Sequence, residues 1–132
     1  MKSLITKISL ITAAAMLLVS CHKYVNKTND QPIPAGLSKT QVSEAIIEAG
    51  DIRGWKMNDN GTGVLTAKLV YKEETFVMVS IPYSTSSYSI KYKDSTGLDY
   101  DANTGAIDKD YNNWITTLNN QIQKQLLIEE TK

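Results

Sequence analysis

The chain has 132 residues, with 14 basic and 14 acidic side chains, one histidine and one cysteine. That length suits one domain and not two. The balanced charge excludes the basic footprint of a nucleic-acid binder, and no zinc-type spacing of cysteines and histidines is present.

The first twenty residues read as a targeting segment. Lys2 and Lys7 give it a positive start, and Ile8 to Val19 form an apolar run of about a dozen residues, short of the roughly 20 that span a bilayer. Leu18, Val19 and Ser20 then lead to Cys21. This arrangement resembles the lipobox of bacterial lipoproteins, where a small residue precedes a cysteine that takes a diacylglycerol thioether before cleavage. The resemblance implies a signal peptide over 1–20, lipidation of Cys21, and stable anchoring through more than one acyl chain (palmitate or similar). His22, and not an aspartate, follows the cysteine, which implies the outer membrane and its periplasmic face. Cleavage removes Lys2 and Lys7 and no acid, leaving 14 − 2 = 12 basic against 14 acidic groups, a formal charge of −2.

From Cys21 to Gly36 the chain is polar and carries Pro32 and Pro34, which predicts a flexible tether over 21–36 reaching about 20 Å. The prolines speak against a strand there. Residues 37–132 then form a single domain. Ser38 and Gln41 make a capping box, with Leu37 and Val42 as its hydrophobic staple. Val42, Ala45, Ile46 and Ala49 recur at helical spacing, and Gly50 suits a left-handed stop. Three runs of alternating residues follow. Leu65, Ala67, Leu69 and Tyr71 share one face; so do Val77, Val79 and Ile81, and then Tyr88, Ile90 and Tyr92. The middle run is apolar on both sides and is expected at the centre of the sheet. From Asp108, the residues Tyr111, Trp114, Ile115, Leu118, Ile122 and Leu126 trace one stripe of a helix of about five turns, opposite a face of Asn, Thr and Gln. The predicted fold is a two-layer α+β domain: helix, three-stranded antiparallel meander, then a long C-terminal helix on the same sheet face.

Few residues suggest chemistry. His22 is the lone histidine and has no partner to orient it, and no P-loop or dinucleotide fingerprint appears. No catalytic residue and no cofactor is expected, and the chain is not expected to be an enzyme. Asp99, Asp101, Asn103 and Asp110 partly imitate a calcium loop. Thr104 stands where that loop needs glycine, however, and Asp110 where it needs a bidentate glutamate, so the preferred reading is a tight turn at "DANTG". Two aspartates on one exposed turn also lack the burial that would raise an acid for glycoside hydrolysis. Among the aromatics, Tyr83 and Tyr100 are the least explained by packing and are the candidate partner-binding residues.

The pattern Gly54-Trp55, Ile81-Pro82-Tyr83, Tyr88 to Ser95 with Leu98 and Tyr100, Tyr111-Asn112 and Trp114-Ile115 resembles a group of small bacterial lipoproteins of unknown function. It covers roughly residues 53–122. Members of that group tend to carry a histidine where this chain has Asp108, and a basic-histidine pair where it has "YKEET", so no chemistry of theirs carries over. The resemblance implies a lipid-anchored periplasmic module of the cell envelope that binds or braces. Its partner would be an envelope protein or cell-wall glycan, with no nucleic acid involved and the chain acting as a monomer. The alternative is an inhibitor or accessory subunit of a secreted hydrolase or envelope machine, acting through "PYSTSS".

Overall fold

The computed structural model describes residues 24–132. The expected signal peptide over 1–20, Cys21 and His22 lie outside them. Seven elements follow in order: β1 (Thr28–Pro32), α1 (Lys39–Ile52), β2 (Lys56–Asp59), β3 (Val64–Val70), β4 (Phe76–Pro82), β5 (Ser87–Thr96) and α2 (Lys109–Glu130). The fold is α+β, with five antiparallel strands in the order β1-β5-β4-β3-β2. The sheet is thus not the three-stranded meander expected. The three alternating runs are β3, β4 and β5, with β4 at the centre, and two short strands flank them.

Both added strands are polar edges. β2, "KMND", holds one apolar residue and has no alternation to read. β1 carries Pro32, but as its last residue and at the sheet edge, where a missing N–H breaks no ladder. The stretch expected as a tether is therefore folded from Tyr24 onward. Val25 N–H donates to Gly105 O (2.8 Å), Ile33 N–H donates to Ser86 O (3.1 Å), and Tyr24 bridges Ala106. Ile33 and Leu37 are buried in the core.

The inward row of the sheet, Leu65, Ala67, Val77, Val79, Ile81, Tyr88 and Ile90, packs with Val42, Ala45, Ile46 and Ala49 of α1 and with Tyr111, Ile115, Leu118, Ile122 and Leu126 of α2. The capping box of α1 is present in both directions, with Ser38 Oγ accepting from Gln41 N–H and Gln41 Oε1 accepting from Ser38 N–H. The helix runs past Gly50, contrary to the expected stop. The left-handed residue is Gly54 (φ 82°), and the bonds Trp55 N–H to Gly50 O and Gly54 N–H to Asp51 O close a Schellman motif. Gly50 has another reason to be glycine: a Cβ there would run into the Met57 side chain, where α1 crosses β2.

On α2, Asp108 caps the first turn by accepting from Asp110 N–H at 2.9 Å. The uncharged face of this helix holds the N-terminal segment. Asn112 accepts from Asn26 N–H (3.0 Å) and donates to Tyr24 O (2.7 Å). Asn119 donates to Gln31 Oε1 (3.3 Å), and Gln123 donates to Pro32 O (3.4 Å). The Tyr88 hydroxyl sits between them, donating to Asn119 Oδ1 (2.5 Å) and accepting from Gln123 (2.8 Å).

Candidate functional site

Tyr83 and Tyr100, the two aromatics singled out from sequence, are not brought together. Tyr83 follows the end of β4 and bridges Tyr88 near the start of β5, whereas Tyr100 follows the end of β5. It stacks on Tyr92 with ring centroids 4.0 Å apart, and Tyr92 meets Tyr111 edge-on at 5.8 Å. Four residues of strand, about 13 Å, separate Tyr88 from Tyr92. The two tyrosines therefore mark opposite ends of the sheet.

At the Tyr83 end the structure forms a cleft of about 450 Å³. Lys39 and Ser43 enter it from α1, one turn apart and so on one face. Asp59 enters from the end of β2, Gly61 and Gly63 from the loop that follows, and Tyr83 closes the rim. Asp59 is the hub. It accepts from the buried Ser43 hydroxyl at 2.7 Å and from Gly61 N–H at 2.9 Å. The Ser43 hydroxyl above all, then the Gly61 amide, hold this carboxyl below its usual 3.8 against the opposing effect of burial; the Tyr83 hydroxyl and the Lys39 charge add smaller pulls. Lys39 Nζ lies 5.7 Å from the centre of the Tyr83 ring. The chain passes close beneath it at Gly63 (φ 86°), where a Cβ would come within 3.0 Å of that nitrogen, and Tyr83 N–H fixes the loop by donating to Gly63 O. The cleft thus offers one cation, two carboxylates (Asp59 and Glu44) and an aromatic face within a short span. This suits recognition of a polar ligand with ring or amide faces.

Sequence reasoning reached Tyr83 but missed Lys39, Ser43 and Asp59. A signal was available: "NDNGTG" is a turn sequence, and Lys39, Ser43 and Ile47 fall at helical spacing on one side of α1.

The acidic segment is a turn. Asp101 N–H donates to Ala106 O, Gly105 N–H donates to Asp101 O, and Asp101 Oδ1 accepts from Asn103 N–H at 2.9 Å. Gly105 has the positive φ (77°) that such a turn needs. Asp108, and not Asp99, engages Asp110, through its backbone amide. Of the four residues Asp99, Asp101, Asn103 and Asp110, Asp101 uses its carboxylate in this local backbone bond, and the described residues hold no group of three or more His, Cys, Asp or Glu fit for a metal.

Within "PYSTSS", the turn from Ser84 to Ser87 is short and tied to itself. Ser84 Oγ accepts from Ser86 N–H and Ser87 N–H, and Ser84 N–H donates to Ser87 O at 2.9 Å. Among the described residues no helix is long and apolar enough to cross a membrane. No family model, no curated protein and no solved structure matches the chain.

Proposed function

We propose that the protein is a lipid-anchored module of the bacterial envelope, held to the outer membrane through Cys21, that binds a periplasmic target in the cleft of Lys39, Ser43, Asp59 and Tyr83. The anchor rests on the order of basic start, short apolar run, small residue and cysteine, together with the resemblance to small bacterial lipoproteins. The observation that carries the binding role is the Lys39–Tyr83–Asp59 grouping itself. It places a cation, a ring face and a carboxylate around a preformed recess, with the carboxylate oriented by a buried serine. Cell-wall glycan, whose sugar rings, amides and carboxylates match those three groups, is the target this chemistry fits best.

Purified cell-wall sacculi test the reading. The wild-type protein should sediment with sacculi, and Tyr83→Ala or Lys39→Ala should weaken retention about tenfold, equivalent to ~1.4 kcal/mol. Retention of both variants at the wild-type level rules the cleft out as the binding site. Recovery of one stoichiometric hydrolase in a cross-linked pull-down would support the accessory-subunit role instead.

A further inference from the structure

The residues joined to the anchor gather the exposed aromatics at one end of the body. Tyr24 is the first described residue, and only His22 and Lys23 separate it from Cys21. Three Cα–Cα steps span at most about 11 Å. Tyr24 is itself fixed to the body, through the Ala106 bridge and the bond from Asn112. An acylated Cys21 therefore leaves no room for a long tether and brings this end of the domain to the lipid.

Four of the seven large hydrophobic side chains exposed among the described residues gather here, while Ile52, Leu127 and Ile128 lie on the helices. Tyr24 is 52% exposed, Val70 63%, Tyr71 46% and Tyr100 37%. The contacts of these residues lie at one end of the sheet. Val70 pairs with Phe76, and Phe76 with Thr96, in one row across the last position of β3, the first of β4 and the last of β5. Tyr71 packs on Trp114 of α2 with centroids 5.2 Å apart, two residues beyond the Asn112 that holds Tyr24. Tyr100 stands beside the Asp101–Ala106 turn on which Tyr24 rests. A groove of about 450 Å³ opens here as well, with Val70, Phe76 and Thr96 in its walls. The Tyr83 cleft lies at the other end, beyond the ten residues of β5, about 30 Å of strand.

We infer that the end bearing Tyr24, Val70, Tyr71 and Tyr100 lies on the headgroup layer of the membrane that holds the anchor, so that the Tyr83 cleft points away from the bilayer; this rests on acylation of Cys21. Tyrosine rings with polar tips are suited to that layer. The charges nearby, Lys68 and Lys72 against Glu73, Glu74, Asp99 and Asp101, leave an acidic excess that selects a zwitterionic surface over an anionic one.

The acylated full-length protein, reconstituted in phosphatidylethanolamine–phosphatidylcholine vesicles, tests this with spin labels on single cysteines at Val70→Cys, Tyr100→Cys and, as the far-end control, Thr85→Cys. The label at 70 or 100 should lose most of its accessibility to a water-soluble nickel chelate and gain accessibility to oxygen, while the label at 85 stays wet. Adding phosphatidylglycerol should reverse part of that shift; a deeper seating instead would overturn the charge argument. Labels at 70 and 100 as wet as the label at 85, on protein whose intact mass shows the acyl chains, overturn this inference alone. Shielding that persists without vesicles assigns the surface to a second copy and overturns it too. An intact mass without acyl chains removes the anchor itself, and this inference with it.

Discussion

The two sides of α2 are held by different physics. On one side Tyr111, Ile115, Leu118, Ile122 and Leu126 are buried against the sheet and α1. On the other, Asn112, Asn119 and Gln123 bind the N-terminal segment through amide hydrogen bonds. The apolar side draws its stability from area removed from water, which needs only the right residues at the right period. The amide side gains little net energy from each bond, because water offers the same bonds to the unfolded chain. Its contribution is direction: it fixes which strand lies at the sheet edge and where the chain enters the body.

The sharpest way to strain this contrast is to shorten one residue on each side. Leu118→Ala, fully buried in the wild type, should cost about 2–5 kcal/mol, read as a lower urea midpoint with an unchanged slope. On the amide side, Asn119→Ala with Gln123→Ala strips the buried Tyr88 hydroxyl of both partners and should cost about 1–3 kcal/mol. Amide hydrogen exchange at Asn26 and Gln31 should accelerate in the double variant more than exchange in β4. A double variant as stable and as slowly exchanging as wild type would reduce the amide face to solvated decoration.

That contrast also explains what could be read from sequence. The apolar stripe of α2, the capping box at Ser38 and the alternation in β3, β4 and β5 are periodic or positional signals, and the structure has them. β1 and β2 have no such signal, because polar edge strands are specified by their neighbours and not by their own residues. The Asn and Gln face looked like a wet surface, since an amide that bonds a distant backbone has the same sequence signature as one that bonds water. Gly50 was misread for a related reason: its constraint is Met57, seven residues on, and local turn logic cannot show a tertiary contact. In the cleft, Tyr83 stood out as an aromatic that packing did not explain. Lys39, Ser43 and Asp59 became a group only once α1 had been laid across the β2–β3 loop.

A change of pH probes the apolar side without mutation. Burial pushes Tyr88 up to about 12 and also raises Tyr92 and Tyr111 above the usual 10. The folded protein therefore keeps these phenolic protons more tightly than the unfolded chain does. Their contribution is complete below pH 10 and is lost as pH climbs from 10 through 12. Denaturant midpoints should fall across that window, in step with tyrosinate absorbance; a midpoint that stays flat to pH 12 contradicts the burial.

The smallest effect has the most telling sign. Tyr88 and Tyr111 are both buried, but Tyr88 both donates and accepts, while the Tyr111 hydroxyl has no partner. Desolvating a hydroxyl without a hydrogen bond is unfavourable, and removing it leaves the ring's packing intact. Tyr111→Phe should thus raise stability by up to about 1 kcal/mol, whereas Tyr88→Phe, the same loss of one oxygen, should lower it by about 1 kcal/mol. If Tyr111→Phe is destabilising by as much as Tyr88→Phe, an ordered water satisfies that hydroxyl, and the stacked Tyr92–Tyr100 pair above it encloses a polar site instead of sealing a dry core.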